Sequence, residues 1–342
     1  MEILFRLLKR CMNFRLLRYP WAVTLIAISL TTISTSCAAD TNPVVLEKKS
    51  ADPLPFRMHY DNEGVAARNL PLMHTFYTKV MGADARPFSN GDTQLFFQLG
   101  GVDFYVFHTD STTPHDLRSV TNYASDAPGY DHLVFDTPDL NIARARLATN
   151  GVKVEFDQVV QLGGQWYHYL RFNDPEGNLL GIRQHISGPN AAVKSSVPVN
   201  TSVLALHFAN EGVAVRDVHN MYNFYTQVLG AQASPPTTDD FPMTAVQLDG
   251  MRLFVFQTKG HAPHDLRDVQ HYLSDPAGYD HLVFQTDSDI SIVRSWLQKH
   301  QIHIDQDQVF QFPEEHRAFH YLRFKDPEGN LLGIRQEVPY QG

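Results

Sequence analysis

Residues 129–137 read GYDHLVFDT, and residues 167–184 read YHYLRFNDPEGNLLGIRQ. A second copy follows, with GYDHLVFQT at residues 278–286 and HYLRFKDPEGNLLGIRQ at residues 320–336. Repeats of this length indicate duplicated structural units. They therefore predict the overall architecture more strongly than the propensities of single segments do.

The first copy predicts a strand, a helix and three further strands. Residues 131–137 are apolar with β-branched and aromatic side chains, which is typical of a buried strand. Thr137 and Pro138 then predict a helix start, and apolar residues recur at helical spacing from Leu140. Three short strands follow, and the sequence DPEG at residues 174–177 suits a turn between the last two.

A more diverged unit of the same order precedes each copy. We therefore predict an α+β fold with four βαβββ units, grouped as two tandem paired-module domains at residues 56–186 and 203–337. Residues 187–202 are the predicted linker and residues 40–55 a tether. Because each half holds a complete pair, residues 202–342 are expected to fold alone.

These features resemble the vicinal oxygen chelate superfamily, which includes glyoxalases, bleomycin-resistance proteins and extradiol dioxygenases. The shared features are paired βαβββ units, a histidine in a first strand, and a DPxGN turn before the last strand. The resemblance covers about residues 55–186 and 202–337 and implies a cup-shaped site in each domain. It is specific for the fold but does not choose among reactions.

The N-terminus predicts a targeting segment, residues 1–39. Basic residues, among them Lys9, Arg10, Arg15 and Arg18, precede a short apolar run at residues 21–33, and small residues follow. Cleavage after Ala38 or Ala39 would release a soluble exported protein. Cleavage before Cys37 would give a bacterial lipoprotein anchored in the membrane, and an uncleaved anchor is the third alternative. We expect a periplasmic or membrane-anchored protein.

Composition excludes some partners and chemistries. The net charge is −9 without a basic block, which argues against nucleic acid as a partner. The two cysteines, Cys11 and Cys37, lie outside the repeats, so the repeats carry no cysteine nucleophile or thiolate metal site. A small-molecule substrate or ligand is the expected partner.

The resemblance implies a divalent metal held by first-strand histidines from both units of a pair. The implied ligands are His59 with His132, and His207 with His281. Neutral imidazole suits zinc, iron, nickel or manganese. The alternative is that these histidines form hydrogen bonds inside the barrel and bind no metal.

The resemblance also implies a ligand glutamate in the last strand, four residues beyond the turn glycine. Those positions are Gly181 and Gly333, so the usual set of two histidines and one carboxylate is incomplete. His168 and His320, on the neighbouring strand, are candidates to point into the vacancy and complete the site. The alternative is that they face the other side of the sheet.

The motif PHDLR also recurs, at residues 114–118 and 263–267. His115 and His264 are candidate general bases, and Arg118 and Arg267 could bind a substrate carboxylate. A helix cap with a surface arginine is the alternative.

Two carboxylate positions complete the candidates. Glu63 and Glu211, in the repeated NEGVA, are either ligands or part of a loop. Asp131 adjoins His132, so strand alternation predicts that the two side chains point to opposite faces and that Asp131 does not orient His132.

Two functions compete. One is a metal-dependent lyase, isomerase or dioxygenase acting on a substrate with adjacent oxygens. The other is a metal-free protein that binds or sequesters a small ligand, as bleomycin-resistance proteins do. The missing glutamate favours the binder, and the repeated histidines favour the enzyme.

Overall fold

The computed structural model describes residues 53–89, 91–113, 118–191, 204–260, 267–269 and 272–342. The predicted targeting segment and the candidate bases His115 and His264 lie outside these ranges, so both remain predictions from sequence. No helix within these ranges is long and apolar enough to cross a membrane.

The first half of the chain contains modules 1 and 2, each with one helix and four strands. Module 1 comprises β1 (His59–Ala67), α1 (Leu70–Thr75) with a π-helical continuation (Phe76–Met81), β2 (Asp84–Ala85), β3 (Gln94–Leu99) and β4 (Val102–His108). Module 2 comprises β5 (Gly129–Asp136), α2 (Leu140–Thr149), β6 (Phe156–Leu162), β7 (Gln165–Asn173) and β8 (Leu179–Ile186).

The second half contains modules 3 and 4 with the same order of elements. Module 3 comprises β9 (His207–Val215), α3 (Val218–Gln227), β10 (Gln232–Ala233), β11 (Met243–Leu248) and β12 (Met251–Gln257). Module 4 comprises β13 (Gly278–Gln285), α4 (Ile290–Lys299), β14 (Ile304–Phe312), β15 (Arg317–Lys325) and β16 (Leu331–Val338). The predicted α+β class and the four βαβββ units are confirmed.

Each helix starts at a polar cap and buries an apolar stripe. Asp139 accepts a hydrogen bond from the backbone N–H of Asn141, which satisfies a helix N-terminal donor. Leu140, Ala143 and Leu147 are buried as the spacing predicted. The first helix differs from the prediction, because its second half is π-helical.

The sheets pair modules across the two halves of the chain. One eight-stranded sheet has the order β14-β15-β16-β13-β1-β4-β3-β2, so it joins module 4 to module 1. The other has the order β10-β11-β12-β9-β5-β8-β7-β6 and joins module 3 to module 2. We call these sheet 1/4 and sheet 2/3. The first strands pair across the two halves, β1 with β13 and β5 with β9.

Modules of the same half contact each other through turns and helices. The carboxylate of Glu176 in the DPEGN turn of module 2 accepts from the backbone N–H groups of Arg68 and Asn69, at 2.8 and 2.9 Å. Those groups precede helix α1 of module 1. Glu328 makes the same contacts with Arg216 and Asp217 before helix α3. The repeated turn therefore caps the helix of the preceding module.

One hydrophobic core serves both sheets. A single cluster of buried side chains takes members from all four modules. The hydroxyl of Tyr130 in β5 donates to the backbone oxygen of Leu331 in β16 at 2.8 Å, and Tyr279 donates to Leu179 at 2.9 Å. These repeated tyrosines link the two sheets through the core.

Candidate ligand-binding site

The concave face of sheet 1/4, here called cup 1/4, encloses a cavity of about 650 Å³. This volume lies within the range of small-molecule sites. Module 1 contributes the aromatic pair Phe96 and Tyr105, with ring centroids 4.9 Å apart. Module 4 contributes Phe310 and Tyr321, which meet edge to face at 5.5 Å. The cavity therefore lies between aromatic side chains supplied by the two ends of the chain.

His281 lies deep in cup 1/4 beside Asp280. Its Nδ1 contacts a carboxylate oxygen of Asp280, and both side chains are buried. The other oxygen of Asp280 lies 3.7 Å from Nε of Arg267. Since Nδ1 is held by a carboxylate, the neutral ring carries its lone pair on Nε2. Arg267 is therefore engaged inside the protein, not on a helix surface.

Sheet 2/3 repeats this arrangement in its own concave face, cup 2/3. Asp131 contacts Nδ1 of His132, and Nε of Arg118 lies 3.9 Å from Asp131. The prediction that Asp131 does not orient His132 is wrong. The register passes from Tyr130 to His132 and skips Asp131, which forms a bulge. A bulge breaks strict alternation, so adjacent side chains can lie on one side.

Each of these histidine rings lies against a glycine of the partner strand. A Cβ placed on Gly64 would fall 2.3 Å from Cε1 of His281, and one on Gly212 equally close to His132. Glycine is thus required at these positions by close approach of the ring, rather than by backbone conformation.

We expect the substitution Gly64→Ala to lower the free energy of unfolding by about 1–3 kcal/mol, the usual cost of overpacking a well-packed interior. The added methyl group would displace the His281 ring and its contact with Asp280. Urea unfolding measures the effect. Gly333→Ala is the matched control, because its Cβ would meet nothing closer than 3.7 Å. Equal stability of the two variants would contradict the close approach.

His59 and His207 do not lie where the metal prediction placed them. Both are exposed at the first residue of their strands. In the β1–β13 ladder, Gly64 pairs with His281 and Asn62 pairs with Val283. An approximate twofold axis relates the two strands. It therefore exchanges Asn62 with His281. In the same way, Asn210 is the counterpart of His132. The predicted partnership of His59 with His132, and of His207 with His281, is therefore wrong.

The glycines at the predicted glutamate positions differ between the cups. A Cβ on Gly333 would meet Val283 and Tyr321 at ordinary van der Waals distances, 3.7 and 3.9 Å, so this part of cup 1/4 has room for a side chain. In cup 2/3 the ring of Tyr169 lies over Gly181, with its hydroxyl oxygen 2.4 Å from the position of such a Cβ. The same vacancy is thus filled in one cup and open in the other.

The equivalent arginine has a different carboxylate partner in each cup, because Asp61 is replaced by Ala209 and Asp136 is replaced by Gln285. In cup 1/4 the carboxylate of Asp61 holds Arg335 at 2.6 Å, and Arg335 in turn donates to the hydroxyl of Tyr321 at 2.6 Å. The counterpart of Asp61 in β9 is Ala209, which has no such group. There the equivalent arginine, Arg183, instead pairs with Asp136 at 2.7 Å.

Side chains also close around Arg171 in cup 2/3. Its guanidinium lies 4.3 Å from the ring centroid of Tyr123 and 4.6 Å from those of Phe156 and Tyr169. Nη1 of Arg171 donates to the backbone oxygen of Val120 at 2.7 Å. These contacts fill the region that is open in cup 1/4.

His168 and His320 do not reach either vacancy. Nε2 of His168 contacts Asp157 at 2.6 Å, and Asp157 also accepts two bonds from Arg144 on helix α2. His320 makes the corresponding contact with Asp307 at 2.7 Å. Alternation places these histidines on the face opposite Tyr169 and Tyr321. The prediction that they complete the site is wrong, and they instead join each helix to a hairpin.

Glu63 and Glu211 lie in the shared core, not in the cups. Both are fully buried. Tyr60 donates to Glu63 at 3.2 Å, whereas neither carboxylate oxygen of Glu211 has a hydrogen-bond partner within the described part of the chain. Burial raises the pKa of both carboxyl groups well above the usual value, and the charge of Glu211 raises the pKa of Glu63 further.

Sequence reasoning missed the arginines of cup 1/4. Arg323 is directly opposite Gly333 in the β15–β16 ladder, so both face the cup. Burial lowers the pKa of Arg323 to about 10. Arg335 stacks 3.9 Å from the ring centroid of Phe319, and its Nε is buried without a hydrogen-bond partner in the described ranges. Strand alternation could have predicted both arginines, because Arg335 lies two residues after Gly333 and Arg323 lies opposite it on the paired strand.

Comparison with known proteins identifies the family. The sequence profile of the Glyoxalase/Bleomycin resistance protein/Dioxygenase superfamily matches residues 59–182 and 205–334. The chain belongs to this superfamily. No curated protein sequence matches the chain.

Solved structures of the superfamily fold are similar over most of the chain. Glyoxalase I from Zea mays is 13% identical, with a TM-score of 0.55, and the match covers 82% of this chain and 92% of that one. A dioxygenase from Bacillus subtilis, assigned only by inference, is 13% identical with a TM-score of 0.54, over 83% and 86% of the two chains. At this identity the likeness shows the fold alone.

The donor set does not fit the metal expected from the superfamily. The first-strand and last-strand positions of cup 1/4 hold Asn62, Tyr105, His281 and Gly333. Cup 2/3 has Asn210, Phe254, His132 and Gly181. Each set has one imidazole and lacks a carboxylate. Among the described residues, no group of three or more His, Cys, Asp or Glu side chains could hold a metal ion.

Proposed function

We propose that this superfamily member binds one small organic ligand per chain, directly through the side chains of cup 1/4 and without a metal. The observation that carries this proposal is a cavity of about 650 Å³ lined by aromatic side chains of two modules and by Arg323 and Arg335. Of the two functions considered from sequence, it corresponds to the small-ligand binder. Cavities of this size bury most of the surface of a small ligand.

A ligand could be held here by several kinds of contact. Aromatic rings from modules 1 and 4 offer flat apolar surface on opposite sides of the cavity. Arg323 and Arg335 offer donors on its floor. At the rim, Nη1 of Arg86 lies 2.7 Å from Glu315 and joins the two modules. This exposed ion pair contributes little to stability.

The metal-dependent lyase, isomerase or dioxygenase is the competing function. It requires at least one further strong ligand beside His281, and the glutamate position is Gly333. Two neutral imidazoles and a carboxylate form the usual open site for such chemistry. The single imidazole in cup 1/4 therefore supports direct binding over metal-dependent catalysis.

We expect calorimetric titration with the planar probe 2-naphthylmethanol to give one site per chain, unchanged by a chelator. Cup 2/3 should not contribute, because Tyr169 covers its glycine. The substitution Gly333→Val should abolish binding by filling the floor, while Phe254→Ala in cup 2/3 should leave binding unchanged.

Metal analysis after supplementation provides the second measurement. One metal per chain, together with loss of probe binding on chelation, would overturn the proposal in favour of the metal-dependent function. Binding that survives Gly333→Val would place the site elsewhere.

A further inference from the structure

The chain contains its own example of what fits on the floor of a cup. In cup 2/3 the floor at Gly181 is occupied by the phenol ring of Tyr169. Arg171 stacks 4.6 Å from the centroid of that ring. The charges of Arg171 and Arg183 both oppose the rise that burial causes in the pKa of the Tyr169 hydroxyl. An aromatic ring carrying an oxygen is thus compatible with a glycine floor flanked by two arginines.

Cup 1/4 has the same floor and the same two arginines, but its tyrosine is held elsewhere. Tyr321 is bonded through its hydroxyl to Arg335, and its nearest atom is 3.9 Å from a Cβ position on Gly333. Arg323 is the direct cross-strand neighbour of Gly333 and corresponds to Arg171. The position over the glycine that Tyr169 blocks in cup 2/3 is therefore less crowded in cup 1/4, and the cavity beside it can take an external ring.

The charges of the arginines in cup 1/4 favour an anion bound deep in the cavity. Arg323 is 8% exposed, and the side chain of Arg335 is 13% exposed. Of the acidic residues lining the cavity, Asp61 is engaged by Arg335 and Glu315 by Arg86, while Asp84 and Asp103 are exposed at the rim. Burying a guanidinium in an apolar cavity costs free energy, which a carboxylate beside it offsets.

We propose that the ligand of cup 1/4 is an aromatic carboxylate, with its ring in the cavity between Tyr105 and Tyr321 and its carboxylate bound to Arg323. This inference rests on the proposed binding function and specifies its ligand class. The carboxylate would occupy the side of the floor where the superfamily resemblance implied a protein glutamate. A planar ring would use the aromatic walls better than a flexible aliphatic chain of similar size.

The test compares three probes by calorimetric titration of the purified protein: 2-naphthoate, its neutral analogue 2-naphthylmethanol, and octanoate. We expect 2-naphthoate to bind about tenfold or more tightly than either of the others, because hydrogen bonds to charged groups are strong. Arg323→Gln should reduce the affinity for 2-naphthoate to that of the neutral analogue and leave the neutral analogue unchanged. Arg323→Lys, which keeps the charge, should retain part of the preference.

Arg171→Gln, at the same position in cup 2/3, is the matched control and should leave all three affinities unchanged. Circular dichroism and thermal unfolding verify that each variant is folded. Equal affinity of the wild type for 2-naphthoate and 2-naphthylmethanol, with binding still blocked by Gly333→Val, would overturn the carboxylate inference alone. Failure of every probe to bind in cup 1/4 would overturn the proposed function as well.

Discussion

Residues 204–342, expressed alone, are expected to lack the cooperative monomeric unfolding transition of the whole chain. This reverses the expectation from sequence, because each sheet takes one module from each half. The isolated half contains β9 and β13 without their antiparallel partners β5 and β1. Each would expose the edge of a half-sheet together with apolar side chains that belong to the common core.

Fragment complementation measures this directly. Residues 53–191 and 204–342 expressed separately should aggregate or show no sharp thermal transition, whereas co-expression should give a one-to-one complex with a sharp one. The control is the intact chain nicked by a protease within residues 192–203, which should remain assembled. A stable, cooperative monomer of residues 204–342 would show that modules 3 and 4 can pair with each other.

The substitution Glu211→Gln is expected to stabilise the protein increasingly as the pH rises. The pKa of Glu211 is raised in the folded state by burial and by the charge of Asp131. The native protein therefore binds this proton more tightly than the unfolded chain, in which the pKa of glutamate is about 4.3. Stability of the wild type then falls with rising pH above that value, until the folded-state pKa is passed.

Glutamine has a similar shape but does not ionise. The stability of the variant therefore does not fall with rising pH for this reason. The difference in unfolding free energy between variant and wild type should grow by about 1.4 kcal/mol per pH unit above about pH 5. Urea unfolding at pH 5, 6, 7 and 8 measures it, with the exposed Glu155→Gln as the control. A difference that stays constant over this range would mean that Glu211 is ionised in the core.

The sequence was sufficient for the local units but not for their partners. Strand order, helix stripes and the DPEGN turns follow from short-range chemistry that every module carries. Modules 1 to 4 present similar first strands, so local sequence does not specify whether β1 pairs with β5 or with β13. The pairing depends on contacts between modules, such as that of Glu176 with Arg68. These contacts join the modules of one half through their turns, and the sheets then pair across the two halves.

The candidate site was predicted only in part for a related reason. His132 and His281 do lie in the cups, but bulges at Asp131 and Asp280 shift the register, so His59 and His207 are not their counterparts. The sequence did not predict that the ring of Tyr169 lies over Gly181 whereas Tyr321 does not cover Gly333 in the same way. Both lie in the same HYLRF motif, but the arginines near them have different carboxylate partners, Asp136 for Arg183 and Asp61 for Arg335, and Asp61 is more than 250 residues away from Tyr321.

The cross-half pairing also orders events during synthesis of the chain. Sheet 2/3 is built from residues 129–257, a continuous stretch, so all of its strands have emerged from the ribosome well before translation ends. Sheet 1/4 needs β1 from the beginning and β16 from the end, and domains emerging from the ribosome form from the N-terminal side. Module 1 must therefore wait for the last strands of the chain, whereas every strand of the closed cup has been synthesised before the open cup can form.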